Sequence, residues 1–127
     1  DNCSMSERIE GGCFCGSIRY TFEESDYPSG NCHCSMCRRT SAAPFVPWIV
    51  VPLKSFEYTK GKPKTLESSS HGKRYFCEEC GTPVACFLKK DPENIDVTIC
   101  SLDEPESFKP KADIYLDTKL PWIDLEK

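Results

Sequence analysis

Ten of the 127 residues are cysteines, and seven of them fall into three tight clusters. The first cluster is Cys13-Phe14-Cys15-Gly16, the second Cys32-His33-Cys34-Ser35-Met36-Cys37, and the third Cys77-Glu78-Glu79-Cys80-Gly81. Two chemistries compete for such a set: a disulfide framework and thiolate metal sites. The spacing favours metal. Close pairs such as Cys13/Cys15 and Cys32/Cys34 do not readily bridge to each other, because a disulfide has restrictive geometry. A metal ion needs several sulfurs converging on one point, and such pairs supply them.

The CxxCG of the third cluster is a zinc knuckle, a tight turn that aims two sulfurs at one metal. Its glycine permits the left-handed backbone that lets N–H groups approach the sulfurs. Neither Cys13/Cys15 nor Cys77/Cys80 completes a tetrahedron alone. Together they supply four thiolates, the pattern of a closed and therefore structural zinc site. Such a site would fasten the N-terminal strand to the middle of the chain. The plainer reading is that one pair is simply buried cysteine.

The second cluster places three sulfurs within six residues. In extended backbone Cys32 and Cys34 point to one face, and a turn brings Cys37 round to them. Three protein ligands with a vacant fourth position is the catalytic pattern for zinc. Three thiolates leave a zinc ion with a net negative charge, a poor setting for acidifying water. A fourth soft ligand suits it better, so the natural visitor is a substrate thiol. That points to chemistry at a carbon–sulfur bond rather than to hydrolysis. The competing reading is a second closed site, completed by His33, Cys86 or Cys100. His33 sits between two ligating positions and should point the opposite way.

Arg38-Arg39-Thr40-Ser41 follows Cys37 directly. Guanidinium groups and hydroxyls beside a metal suit the carboxylates of an anionic thiol such as glutathione. Solvated arginines that balance a negative cluster are the bland alternative. Phe45 and Trp48 could wall a pocket, although aromatics in an apolar run more often belong to a core. Trp122 is expected to cap the core, His71 to lie on the surface, and Cys3 to be a free thiol in a mobile tail. Asp103, Glu104 and Glu106 read as a solvated turn.

The elements that must position these groups are mostly strands. Ten prolines and seven glycines leave few windows for a long helix. Ile18, Tyr20 and Phe22 alternate with polar residues, as do Ile95, Val97 and Ile99, and both runs predict half-buried strands. Phe45 to Val51 predicts a buried strand. Phe56 to Thr59, a Lys60-Gly61-Lys62-Pro63 turn, and Lys64 to Glu67 predict a hairpin. Lys73 to Phe76 and Val84 to Leu88 flank the CxxC as two further strands, with a polar turn from Lys89 to Asn94. Ile114 to Leu116 predicts a last strand, and Cys34 to Arg39 one helical turn. Residues 1–8 read as a flexible tail and 9–127 as a single zinc-binding domain.

The formal charge of -4 argues against a protein that grips nucleic acid through bulk charge. No apolar run is long enough to span a bilayer. Thiolate sites imply a reducing compartment, cytosol or nucleus.

Taken in order, GGCxCGxIxY, CHCxxCRRTS, KRYFCxxCGTP and SLDxPxxFxPxxxIY with a late Trp resemble the glutathione-dependent formaldehyde-activating enzyme family, which also includes the centromere protein V group. The resemblance runs from about Glu10 to Leu125. It implies a mainly β fold, a β-tent of antiparallel sheets with very little helix. It implies two zinc ions: a structural one on Cys13, Cys15, Cys77 and Cys80, and a catalytic one on Cys32, Cys34 and Cys37. The family's namesake reaction joins formaldehyde and glutathione into S-hydroxymethylglutathione, as a carbon–sulfur lyase. Two departures stand out. The family usually continues its second cluster as CRRxSG, where this chain has Ala42 after Ser41. If that position needs a positive φ, alanine is strained there. The family also often places a His before its last strand, where this chain has Lys111-Ala112-Asp113-Ile114. The expected function is a zinc-dependent carbon–sulfur lyase acting on a thiol adduct. The alternatives are a non-catalytic zinc scaffold for a protein or nucleic-acid partner, and a secreted disulfide protein.

Overall fold

The structure is a computed structural model and describes residues 7–125. Cys3 and most of the expected N-terminal tail lie outside the described residues. The first strand, β1, is Arg8–Gly12 and pairs antiparallel with β2, Arg19–Glu23. β5, Glu57–Lys60, joins the other edge of β2 and completes a three-stranded sheet.

The larger sheet has seven strands: β3 (Ser29–Cys32), β4 (Val46–Pro52), β6 (Lys64–Ser69), β7 (Gly72–Phe76), β8 (Pro83–Leu88), β9 (Asn94–Thr98) and β10 (Asp113–Ile114). Their spatial order is β10-β3-β4-β9-β8-β7-β6. Every pair is antiparallel except β10 with β3, which is parallel. One helix, α1 (Ser35–Ser41), connects β3 to β4. The mainly β expectation therefore holds, with one short parallel pair added.

Two prolines sit in β4, a strand with neighbours on both sides. Pro47 is paired only with β3, opposite Asn31, and Pro52 only with β9, opposite Asn94. Each proline thus falls where β4 has a neighbour on one side alone, so its missing N–H need not interrupt both ladders.

The alternation of β4 and β9 sorts their side chains onto two faces. Ile49, Val51, Ile95 and Val97 point toward the small sheet and form the main core with Tyr20, Phe22 and Val84. Burying each such side chain contributes about 1.5–3 kcal/mol. The opposite face carries Cys32, Val46, Trp48 and Cys86, a second and smaller cluster that also holds Cys37 from α1.

The expected hairpin over residues 56–67 does not form. β5 and β6 belong to different sheets. The turn signal is used, because Gly61 has a φ of 65°. What it permits is a crossing between sheets: a Cβ at Gly61 would lie 2.2 Å from the Ser17 carbonyl oxygen. β5 is drawn to β2 because Phe56 packs on Tyr20 with ring centroids 5.2 Å apart and edge-on against Tyr58 at 5.1 Å. Trp122 does not cap the core either; it is 67% exposed. The last expected strand is only two residues long, and Leu116–Thr118 turns into a 3₁₀ helix.

Candidate metal centres

The four-sulfur cluster is built from two turns. Cys77 and Cys80 occupy the turn after β7, with Gly81 at a φ of 86°, so the expected left-handed position is present. The Cys80 N–H points at the Cys77 sulfur at 3.4 Å, and the Ile18 N–H at the Cys13 sulfur at 3.3 Å. Thr82 ties the two turns together by accepting the Phe14 N–H at 3.0 Å. The four Sγ atoms of Cys13, Cys15, Cys77 and Cys80 all lie within 4.8 Å of one another. Sγ of Cys15 is 3.6 Å from that of Cys13 and 3.8 Å from that of Cys77. Zinc–sulfur bonds of about 2.3 Å in a tetrahedron demand sulfurs about 3.8 Å apart. The donor set therefore fits zinc, and no cysteine among the described residues is in a disulfide. A hydrogen bond from Thr82, above all, pulls the Cys80 thiol down to about 5.

The three-sulfur cluster is built differently. Cys32 ends β3, and Cys34 caps α1 by accepting the Cys37 N–H at 3.3 Å. One turn of helix then carries Cys37 back over the sheet. The sulfurs of Cys32, Cys34 and Cys37 lie within 4.8 Å of one another, and among the described residues no fourth ligand joins them. Three soft donors converging on one point again suit a metal such as zinc.

The rival fourth ligands fall away for separate reasons. His33 is fully buried on the far side of the backbone, with Nε2 2.9 Å from Asp113 Oδ1 and its ring against Phe45. Asp113, in the Lys111-Ala112-Asp113-Ile114 run before the end of the chain, is engaged by His33. Cys100 is exposed in the 3₁₀ turn after β9. Cys86 is buried beside the cluster but its sulfur is not among the converging atoms.

Cys37 is the best-supported sulfur of the three. The Trp48 indole N–H donates to it at 3.4 Å and Arg74 Nη2 at 3.6 Å. A hydrogen bond from Cys32 first, then those from Trp48 and Arg74, bring the Cys37 thiol down to about 5 against the effect of burial. Cys32 moves up for the complementary reason, its hydrogen bond to Cys37, and because it is buried.

Among the predicted binding residues, Trp48 is buried and its indole N–H is directed at Cys37. Arg38 is half-buried, Arg39 exposed and Ser41 half-buried, all on the second half of α1. Sequence reasoning missed Arg74. Its guanidinium sits 5.9 Å from the Trp48 ring centroid. Arg38 and Arg74 each bury an Nε that has no hydrogen-bond partner. Ala42 does adopt the left-handed conformation, with a φ of 52°, and its N–H closes α1 on the Arg38 carbonyl. The strain expected from the missing glycine is real.

Among the described residues no helix is long and apolar enough to cross a membrane. The family model for the glutathione-dependent formaldehyde-activating enzyme matches residues 8–118. A Halomonas elongata protein, provisionally named as such an enzyme, is 26% identical over 129 aligned positions. The match covers 93% of this chain and 81% of that one. An uncharacterized lyase of Schizosaccharomyces pombe is 28% identical over 114 positions, covering 78% of this chain and 82% of the other. The crystal structure of a Rhodobacter sphaeroides protein superposes with a TM-score of 0.68 at 21% identity. It covers 82% of this chain and 98% of its own, and so shares the fold.

Proposed function

The chain belongs to the glutathione-dependent formaldehyde-activating enzyme family, and from that premise we propose that it is a zinc-dependent carbon–sulfur lyase acting on a thiol adduct. The reaction we assign is the joining of formaldehyde and glutathione into S-hydroxymethylglutathione. The observation that carries this reading is the three-sulfur cluster, which converges without a fourth ligand among the described residues. A zinc ion held by Cys32, Cys34 and Cys37 would supply one open coordination position suited to a thiolate.

The chain's own residues do the rest. Trp48 and Arg74 hold Cys37 from two directions and keep its sulfur aimed at the other two. Arg38, Arg39 and Ser41 lie on α1 beyond Cys37 and orient the anionic groups of the thiol. Proximity is the main catalytic gain, since thiols already add to formaldehyde without help. Cys13, Cys15, Cys77 and Cys80 would hold a structural zinc ion, tying the turn before β2 to the turn after β7. A reducing compartment such as the cytosol keeps all these thiols available.

The test is calorimetric titration of glutathione into zinc-loaded protein and into its Cys34→Ser variant. Saturable binding to the first and none to the second supports the reading. Sulfur counting by zinc X-ray absorption gives the contrary result its meaning: four protein sulfurs on both ions, with no glutathione bound, would make the protein a closed scaffold.

A further inference from the structure

The register of the large sheet sets Arg74 opposite Cys86, Cys86 opposite Asp96, and Asp96 opposite Val50. Residues directly opposite one another share a face. Val50 shares its face with Trp48, two residues earlier on the same strand, and hence with the three-sulfur cluster. Arg74, Cys86 and Asp96 therefore form a polar row across β7, β8 and β9 on the face that carries the cluster. At about 4.8 Å per strand, the row is roughly 10 Å long. Arg74 closes one end of it by reaching the Cys37 sulfur. Cys86 in the middle is buried with Cys32, Cys37 and Trp48. Asp96 at the other end is half-buried and has no ion-pair partner among the described residues.

A thiol–aldehyde reaction needs a proton at the aldehyde oxygen, and neither arginine nor a metal-binding thiolate can deliver one. Resting on the reading above, we infer that Asp96 is the acid and base of this site: its carboxyl gives a proton to the adduct oxygen as the carbon–sulfur bond forms, and takes it back as that bond breaks. The balance is simple. The sulfur lone pair forms the C–S bond, the C=O π pair moves to oxygen, and the carboxyl proton completes the hydroxyl. Solvent returns to Asp96 the proton that the thiol released.

The setting suits the task. Burial, first of all, raises the Asp96 carboxyl to about 6, with Asp91 and Cys37 adding to the effect and Arg74 and Lys90 opposing it. These are the charged groups whose field acts on it across the site: Cys37 from α1, Arg74 from β7, and Lys90 and Asp91 from the turn between β8 and β9. Its direct neighbour Cys86 is pushed up to about 11, mainly by burial, and so stays a neutral thiol. A carboxyl poised near the working pH exchanges protons in either direction, where an ordinary one would stay ionised.

The experiment follows formation and breakdown of S-hydroxymethylglutathione by zinc-loaded wild type, Asp96→Asn, Asp96→Glu and Cys34→Ser over about pH 5 to 8. The wild-type breakdown rate rises with pH through about 6, as Asp96 ionises and becomes the base. Asp96→Asn loses that inflection and about 100-fold in rate, and Asp96→Glu recovers part of both. Zinc content and glutathione affinity by calorimetry are the same as in wild type. An unchanged rate and pH profile in Asp96→Asn overturns the assignment while leaving the lyase reading intact. Loss of zinc or of glutathione binding in that variant also overturns it, by making Asp96 structural. A Cys34→Ser variant as active as wild type removes the lyase reading itself, and Asp96 with it.

Discussion

The two cysteine clusters use similar turns to opposite ends. The four-sulfur cluster joins residues 62 apart, Cys15 and Cys77, and its sulfurs complete a tetrahedron among themselves. It packs with Ile18 and Tyr58, and Tyr58 also packs on the main core. The three-sulfur cluster is local, lies on the other face of the large sheet, and is surrounded by Trp48, Arg74 and Cys86 rather than by a fourth ligand. Closure comes with attachment to the core, and openness with a polar sheet face. The two donor sets therefore differ in what they pack against as well as in their ligand count.

The sharpest way to break this contrast is to remove one sulfur from each cluster. Cys77→Ser should leave the protein unable to fold stably, since structural zinc in small domains supplies about 10 kcal/mol or more of apparent folding free energy. Loss of the cooperative thermal transition is the measurement. Cys34→Ser should keep that transition within about 2 kcal/mol of wild type while abolishing turnover. Equal unfolding of both variants would erase the distinction.

Arg74→Met tests the support given to Cys37. It should cost about 1–2 kcal/mol of stability and weaken zinc retention at the three-sulfur cluster alone, read by competitive chelation. Equal release from both clusters would mean that Arg74 serves the fold as a whole.

Asp96→Asn should sharpen the contrast in the other direction. The folded carboxyl sits near 6, above its ordinary value of 3.8, so its folded state prefers the protonated form. The stability linked to it is fully present below about pH 4 and is lost as pH rises through 6. Asparagine escapes that loss. The variant should be more stable than wild type by about 1–2 kcal/mol at pH 8, allowing for partial solvent exposure, with the difference vanishing near pH 4. Chemical denaturation at the two pH values reads it. The smallest effect is expected of Ala42→Gly, which relieves a left-handed alanine at the end of α1 and should add about 0.5–1 kcal/mol without altering glutathione binding.

The clusters were legible because their information is local. CxxCG specifies its own turn, and the alternation around Tyr20 and Ile95 specifies its own strands. The strain at Ala42 was legible as a departure from a family pattern. What escaped was the pairing of strands that lie far apart in sequence. The Lys60-Gly61-Lys62-Pro63 turn reads as a hairpin, because the Ser17 carbonyl that fits against Gly61 lies more than forty positions away. Arg74 and Asp96 escaped for the same reason. Asp96 sits on the polar side of an alternating strand, Arg74 in a strand with two charged residues followed by two aromatics, and only the β7-β8-β9 register places both on the face of the cluster. Trp122 was misjudged because aromatic character alone does not fix burial.

The difference in sequence span also gives the two sites an order in time. A chain emerging from the ribosome presents Cys32, Cys34 and Cys37 together, well before Cys77 has been joined to it. Closing that short segment costs little chain entropy, whereas the four-sulfur cluster must wait for the whole intervening stretch to be made and brought back. The nascent protein thus offers its three-sulfur cluster to a metal first and its four-sulfur cluster last. The late joining of Cys15 to Cys77 then encloses a stretch of chain in which the three-sulfur cluster already lies.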